Sequence, residues 1–251
     1  MAVNKKKIKI LLFFLNYYTM LANVKRISNY WRISEKMPKS TFLKLSDERK
    51  EKLRKTIYNM FIKKDYESIS IRDLVKEMDI SIGSFYKYFD DKAEMYLFFF
   101  SEIEKKIFEE EKKRNASFFY PAKLLDLHEI LTQEEIDFST SWLNVPEDVL
   151  YKFYFRGHAK QLYRSILDEL TEMQQKAQLN PNIKANIAYH IIITSMFSFM
   201  LYIKENKITD KEDFFSRKTT YYQTVILPGI LSEKYYKQKY SKNAIKSEII
   251  L

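Results

Sequence analysis

No cysteine occurs among the 251 residues, which excludes disulfides, thiolate zinc sites and cysteine nucleophiles and fits a reducing compartment. Glycine is almost as scarce, at three residues, and proline supplies only five. So few glycines cannot serve many tight turns or positive-φ positions, which argues against β-sandwiches, barrels and glycine-loop nucleotide sites. The three histidines, His128, His158 and His190, are too scattered to form a metal cluster. No G-x-S-x-G, H-E-x-x-H, Walker or dinucleotide motif occurs, so neither enzymatic activity nor a cofactor is expected.

What remains is rich in helix formers and aromatics. Hydrophobic residues make up 46% and charged residues 30%, with nineteen Phe and nineteen Tyr, which suits long helices joined by short loops. The formal charge is +10, and its distribution is uneven: residues 1–36 carry +7, residues 37–100 carry +2 and residues 101–251 carry +1. Lys outnumbers Arg 34 to 9, which together with abundant Ile, Asn, Tyr and Phe looks like the coding bias of an AT-rich genome. The overall charge is therefore weak evidence for an anionic partner.

The N-terminal stretch places Lys5, Lys6, Lys7 and Lys9 before a short apolar run, Ile10–Leu15, in the manner of a signal peptide. No small-residue cleavage site follows, and the run is too short and interrupted to span a bilayer. Met37 begins the segment leading into the first well-patterned helix, so the expectation is that residues 1–36 are upstream sequence. A membrane or DNA-binding arm is the alternative.

Ser46-Asp47 is a capping signal for a helix with Leu53, Ile57, Met60 and Phe61 on one face. Ser70-Ile71-Arg72-Asp73 reads as a capping box opening a short second helix with Ile71, Leu74, Val75 and Met78 inward. Asp79 tolerates the left-handed conformation of a tight inter-helix turn. Ser81 caps a third helix, in which Ile82, Phe85 and Phe89 are expected inward and Ser84, Lys87 and Tyr88 outward. A long helix followed by two short ones across a three-residue turn describes a helix-turn-helix.

The run from Ser70 to Phe89, with its S-I-G-S-F-Y-K-Y-F core, followed by Asp91-Lys92-Ala93-Glu94, resembles the DNA-binding signature of TetR/AcrR-type regulators. The match covers about 50 residues from Ser46. The resemblance implies that Gly83 permits close approach to a phosphate and to the neighbouring helix, that Tyr86 and Tyr88 touch phosphates, and that Ser84 and Lys87 lie nearest the bases. It implies further phosphate contacts from Ser70 and Lys92, and it puts Arg72 and Ser81 in the same DNA-binding set. Two departures stand out: Asp79 replaces the family's usual Gly, and Ile82 occupies a position often held by Lys, Arg or Pro. Affinity is then expected to lean on Lys87, Lys92 and the Lys39/Lys44 segment.

The expected class is all-α, with a helix-turn-helix domain over 37–90, a helical regulatory and dimerisation domain over 91–231 and a basic tail over 232–251. Asp91 with Glu94 opens a helix running to about Arg114. Prolines divide the rest into helices near 121–130, 133–143, 147–178, 182–206 and 211–227. Residues 185–203 carry no formal charge; Asn186, His190, Thr194, Ser195 and Ser198 argue against a membrane span and for a buried helix.

The family's last two long helices pair with their symmetry mates. The resemblance therefore implies a homodimer, with Ile187, Ile191, Thr194, Ser195, Ser198, Tyr202 and Tyr221 at the interface. Residues 118–163 are dense in aromatics, with Phe118, Phe119 and Tyr120 at their start; for any single ring, ordinary core is the commoner outcome. The functional reading is a pocket for a hydrophobic or aromatic effector, with Trp142, Tyr154 and His158 as candidates.

The reading as a whole is a cytoplasmic, ligand-responsive repressor that holds a palindromic double-stranded DNA operator as a homodimer. The alternatives are an effector-independent DNA-binding dimer with a nucleoid or protein-partner role, and a regulator tethered to the membrane by residues 1–36.

Overall fold

The structure, a computed structural model, describes residues 38–113 and 127–240. The expectations for residues 1–36, for Met37, for Phe118, Phe119 and Tyr120, and for the last eleven residues of the tail fall outside these segments. Within them every regular element is a helix, and an isolated bridge, Leu179 to Leu231, is the one extended pairing.

A one-turn helix, α1 (Ser40–Leu43), leads into α2 (Asp47–Lys63), which is capped by the Ser46 hydroxyl accepting from the Arg49 amide at 3.3 Å. A 3-10 turn at Tyr66–Ser68 connects to α3 (Ile71–Glu77), and α4 (Ile82–Tyr88) follows after the turn. The long α5 (Lys92–Lys113) then crosses to the remaining helices. Asp91 Oδ1 accepts from the Glu94 amide at 2.7 Å, while the Glu94 carboxylate accepts from the Asp90 amide at 2.6 Å. The paired acidic residues thus satisfy open donors at the start of α5.

The second half contains α6 (Gln133–Thr140), a 3-10 turn at Ser141–Asn144, α7 (Glu147–Phe155) and α8 (Lys160–Gln175). The single helix expected over 147–178 is broken at Arg156–Ala159, where Gly157 has φ 87°. At so positive a φ a side chain is strained, so the break falls at glycine. Elsewhere the shortage of glycine is met differently: Asp79, Ala177 and Lys207 adopt φ of 53°, 53° and 51° just beyond helix ends.

Next come α9 (Ala185–Glu205) and α10 (Lys211–Thr220), the latter continuing through a π-helical turn at Tyr221–Ile226 into α11 (Leu227–Ile230). In the π turn the Leu227 amide bonds the Tyr222 carbonyl, five residues back. By the same register the next donor would be Pro228, which has none. The Tyr236 hydroxyl, on α12 (Glu233–Tyr240), donates instead to the Gln223 carbonyl at 2.8 Å. This part of the tail therefore packs back on the domain, with Tyr240 buried.

One hydrophobic core runs through both halves. Its centre is Phe138 of α6, fully buried and stacked on Tyr58 of α2 at 4.2 Å and 9°. Tyr96 of α5 lies 5.1 Å from the same ring, and its hydroxyl shares a 2.7 Å hydrogen bond with Ser141. At the rim, Arg54 holds Glu51 through two hydrogen bonds and Glu134 of α6 at 3.2 Å. Behind it Glu135, almost wholly buried, pairs with Lys106 at 2.5 Å and caps α6 by accepting from the Thr132 amide. Three helices therefore meet at one aromatic and ionic seam, which fixes the N-terminal unit on the rest of the chain.

Candidate nucleic-acid interface

The N-terminal unit positions α4 by anchoring its inner face and both its ends. Phe85 and Phe89 are buried, and Phe89 sits 5.0 Å from Phe42. At the start, Ser81 accepts from the Ser84 amide at 3.0 Å, and the two hydroxyls share a 2.9 Å bond. The preceding turn is held by Arg49, which donates to the Asp79 carbonyl at 3.1 Å. Asp79 adopts the left-handed conformation expected of it.

The C-terminal end has a less common solution. A seven-residue helix leaves its last three carbonyls, those of Tyr86, Lys87 and Tyr88, without intrahelical partners. Here Lys39 and the first turn of α1 supply donors to all three. Lys39 Nζ donates to Tyr86 O at 2.8 Å, Thr41 Oγ1 donates to Lys87 O, and the Lys39 amide donates to Tyr88 O at 3.0 Å. Lys39 also pairs with Asp90. Phe42 locks this strap down, packed edge-on against Tyr88, Phe98 and Phe99. Sequence reading placed Lys39 among affinity-giving cations and missed this role, because the bonds join residues 46 to 49 positions apart and carry no local pattern.

With α4 held in this way, Tyr86 is 46% exposed, Lys87 is exposed and Ser84 is half-buried. On α3, Ser70 and Arg72 are exposed; Ser70 accepts from the Asp73 amide at 3.1 Å and donates to its carboxylate at 2.6 Å, completing the expected capping box. Those bonds hold the Asp73 carboxyl below its usual range.

Four placements differ from expectation. Ile82 points outward, 49% exposed, because side chains tilt toward the helix N-terminus and this first residue has no preceding turn to rest on. Tyr88, expected outward, is half-buried with its ring edge-on to Phe42 at 5.9 Å. Lys92 turns into the unit: its ammonium donates to Tyr66 O at 2.8 Å and Ile69 O at 2.7 Å and lies 4.1 Å from the Tyr66 ring centre. Burial lowers its pKa against opposing pulls from Glu67 and Asp148, so the geometry gives it a structural role in joining α5 to the 3-10 turn. Gly83 is exposed, and a Cβ there would meet only the Ser81 hydroxyl at 3.8 Å. No neighbouring helix requires glycine at this position.

The other candidate residues are distributed through the second half. Trp142 is buried and stacked on Phe100 at 4.3 Å, with Phe153 edge-on at 4.8 Å. Tyr154 is buried between Phe153 and Phe197, and burial raises its phenol. His158 is half-buried, and desolvation, helped by Lys152, lowers its imidazole to about 4 against the pull of Asp91. Trp142 and Tyr154 thus share one aromatic layer.

An open cleft of about 570 Å³ lies elsewhere, at the seam between the end of α2 (Lys63, Lys64, Asp65) and the end of α6 (Asp137, Thr140, Asn144).

On α9, Ile187, Ile191, Thr194, Ser198 and Tyr202 form one exposed stripe at helical spacing. Ser195, expected with them, faces the other way: it is buried within the protomer and donates to Ile192 O at 2.7 Å. Tyr221 turns its ring onto Phe199 at 5.3 Å and is half-buried. Among the described residues α9 is the helix long and apolar enough to cross a membrane, but its inner face is packed within the protein.

Residues 53–97, from the middle of α2 into α5, match the family model for bacterial regulatory proteins of the tetR family. A solved TetR family transcriptional regulator from Chloroflexus aurantiacus J-10-FL is similar at 19% identity and a TM-score of 0.33, over 78% of this chain and 100% of that one. No curated protein matches the chain. The helix-turn-helix of this chain is that of the tetR family of bacterial regulatory proteins, whose work is DNA-binding transcriptional regulation.

Proposed function

We propose that the protein is a cytoplasmic repressor that holds a palindromic operator as a homodimer and releases it when a hydrophobic or aromatic effector binds. The observation that carries the DNA-binding half is the presentation of α4: anchored at both ends, with Tyr86 and Lys87 left exposed. The homodimer is supported by the stripe on α9, since an aliphatic and hydroxyl-bearing helix face at helical spacing suits a self-complementary two-fold contact. Pairing through it would supply two recognition helices for successive major grooves. The effector reading is supported by phenols buried at Tyr154 and Tyr163 and half-buried at Tyr222, and by an imidazole at His158 that desolvation keeps uncharged, polar groups set in an aromatic frame.

The test is selection of duplexes from a randomised library by the full chain, with the stoichiometry of the complex measured by light scattering. A palindromic consensus bound by two protomers is expected, as is its release by at least one member of a panel of aromatic compounds. A sequence-independent binder, or a monomer on DNA, would overturn the reading.

A further inference from the structure

We propose that Ile82 is a specificity-determining residue that reads the C5-methyl group of a thymine in each half-site. This rests on the DNA-binding reading above and adds the chemistry of one base contact. Ile82 is the first residue of α4, and residues at the N-terminal end of a recognition helix are those that reach base edges. Its side chain takes no part in the core, which Phe85 and Phe89 close beneath it, and stands 49% exposed.

The surroundings decide what such a side chain meets. Tyr86, four residues on and 46% exposed, extends the same helix face. Gly83 beside it adds no side chain, and space for a Cβ there is open apart from the Ser81 hydroxyl 3.8 Å away. Ser81 and Ser84 spend a hydrogen bond on each other, and Ser81 accepts a second from the Ser84 amide. No charged residue lies between Ile80 and Tyr86. The leading end of α4 therefore offers an aliphatic surface where hydrogen-bonding readers are few. Among the major-groove edges of the four base pairs, the thymine methyl is the apolar feature, and an aliphatic side chain gains by covering it. An arginine or lysine here would favour guanine; isoleucine favours thymine.

Deoxyuridine in place of thymidine removes that methyl and leaves base pairing intact, so it isolates the contact. The probe is a duplex selected from a randomised library by the wild-type chain, with each thymidine replaced in turn. Burial of one methyl-sized group corresponds to about a fourfold change in binding. The expected result is one thymine per half-site at which uracil weakens wild-type binding about fourfold. Ile82→Ala should bind the thymine and uracil duplexes equally, and Ile82→Val should keep most of the discrimination. Because the side chain is half exposed and the buried Phe85 and Phe89 are untouched, helix content of the variants should match the wild type by circular dichroism. A wild-type chain indifferent to every uracil, or an Ile82→Ala variant that keeps the full penalty, overturns the proposal while DNA binding stands. A chain that selects no duplex overturns the DNA-binding reading and this proposal with it.

Discussion

Replacing Phe138 with alanine removes the ring at the centre of the seam. The side chain is 0% exposed and touches three partners from two other helices: Tyr58 stacked at 4.2 Å, Tyr96 at 5.1 Å and Phe61 edge-on at 6.2 Å. A buried Phe→Ala change costs about 3–5 kcal/mol, of which a well-formed aromatic pair accounts for about 1 kcal/mol. Phe138→Leu, which keeps most of the volume and loses the stack, should cost roughly 1–2 kcal/mol. For a chain of this length, 3–5 kcal/mol corresponds to a melting temperature lowered by about 10 °C. Because the lost contacts lie between α2 and α6, the damage should also be local. Amide hydrogen exchange across Leu53–Phe61 should accelerate well beyond what Phe199→Ala produces, although Phe199 is also a buried ring, in a separate cluster. Denaturant unfolding gives the global cost and exchange mass spectrometry its location. A cost under about 1 kcal/mol, or equal loosening of α2 in both variants, would refute the claim that this ring joins the two halves.

Thr41→Val keeps the shape of the strap and removes its donor to Lys87 O. About 1 kcal/mol of helix-end stability should go, seen as faster exchange of the Phe85–Phe89 amides and roughly fivefold weaker binding to a selected duplex, with Thr41→Ser restoring both. Lys92→Met should lower thermal stability by stripping donors from Tyr66 O and Ile69 O, while the salt dependence of DNA binding stays within experimental error of the wild type. Lys207→Gly relieves a left-handed residue at φ 51° and should raise stability by about 0.5–1 kcal/mol in denaturant melts. The unfolded chain takes up a proton on His158 near pH 6.5 that the folded chain refuses until about 4. Stability should therefore fall by roughly 3 kcal/mol as pH drops through that window, and His158→Gln should flatten the slope.

The helices with their own start signals were legible in the sequence. Ser46, Ser70 and Ser81 cap as their spacing predicts, and Asp79 takes the turn. Those features are encoded within four residues of each other, so a single sequence displays them. Orientation on short or uniformly apolar helices was harder. In α4, two turns cannot fix a phase, and Ile82 came out on the opposite side from the one its spacing to Phe85 suggested. In α9, almost every residue is apolar or small, so Thr194 and Ser195 look interchangeable although the first is exposed and the second buried. The break at Gly157 hid just behind the aromatic run Phe153-Tyr154-Phe155, whose pattern reads as an unbroken helix. Lys39 and Lys92 read as surface cations because their carbonyl partners lie 23 to 47 residues away. A lysine reaching a distant backbone has no sequence signature.

The seam also limits how the proposed signal could reach a bound operator. With Phe138 between Tyr58 and Tyr96, and Arg54 and Lys106 pairing with adjacent glutamates of α6, the helix-turn-helix has no slack hinge against the body of the protomer. If two protomers pair through α9, as proposed, the low-cost motion is a tilt of each whole protomer about that contact. α5 spans roughly 33 Å at 1.5 Å per residue, and a tilt of about 5° over that lever carries α4 roughly 3 Å. That is close to the 3.4 Å step between successive base pairs, enough to take paired recognition helices out of register with grooves one helical turn apart. An effector of the kind proposed would therefore have no need to touch the DNA-binding unit. It must bind one tilt more tightly than the other, and a hundredfold preference, about 2.7 kcal/mol, would shift operator occupancy by up to the same factor. On the proposed reading the stiffness of the seam would make so small a rotation effective, and a variant that loosens it, such as Phe138→Ala, should blunt release by effector even where it spares binding of the free chain to DNA.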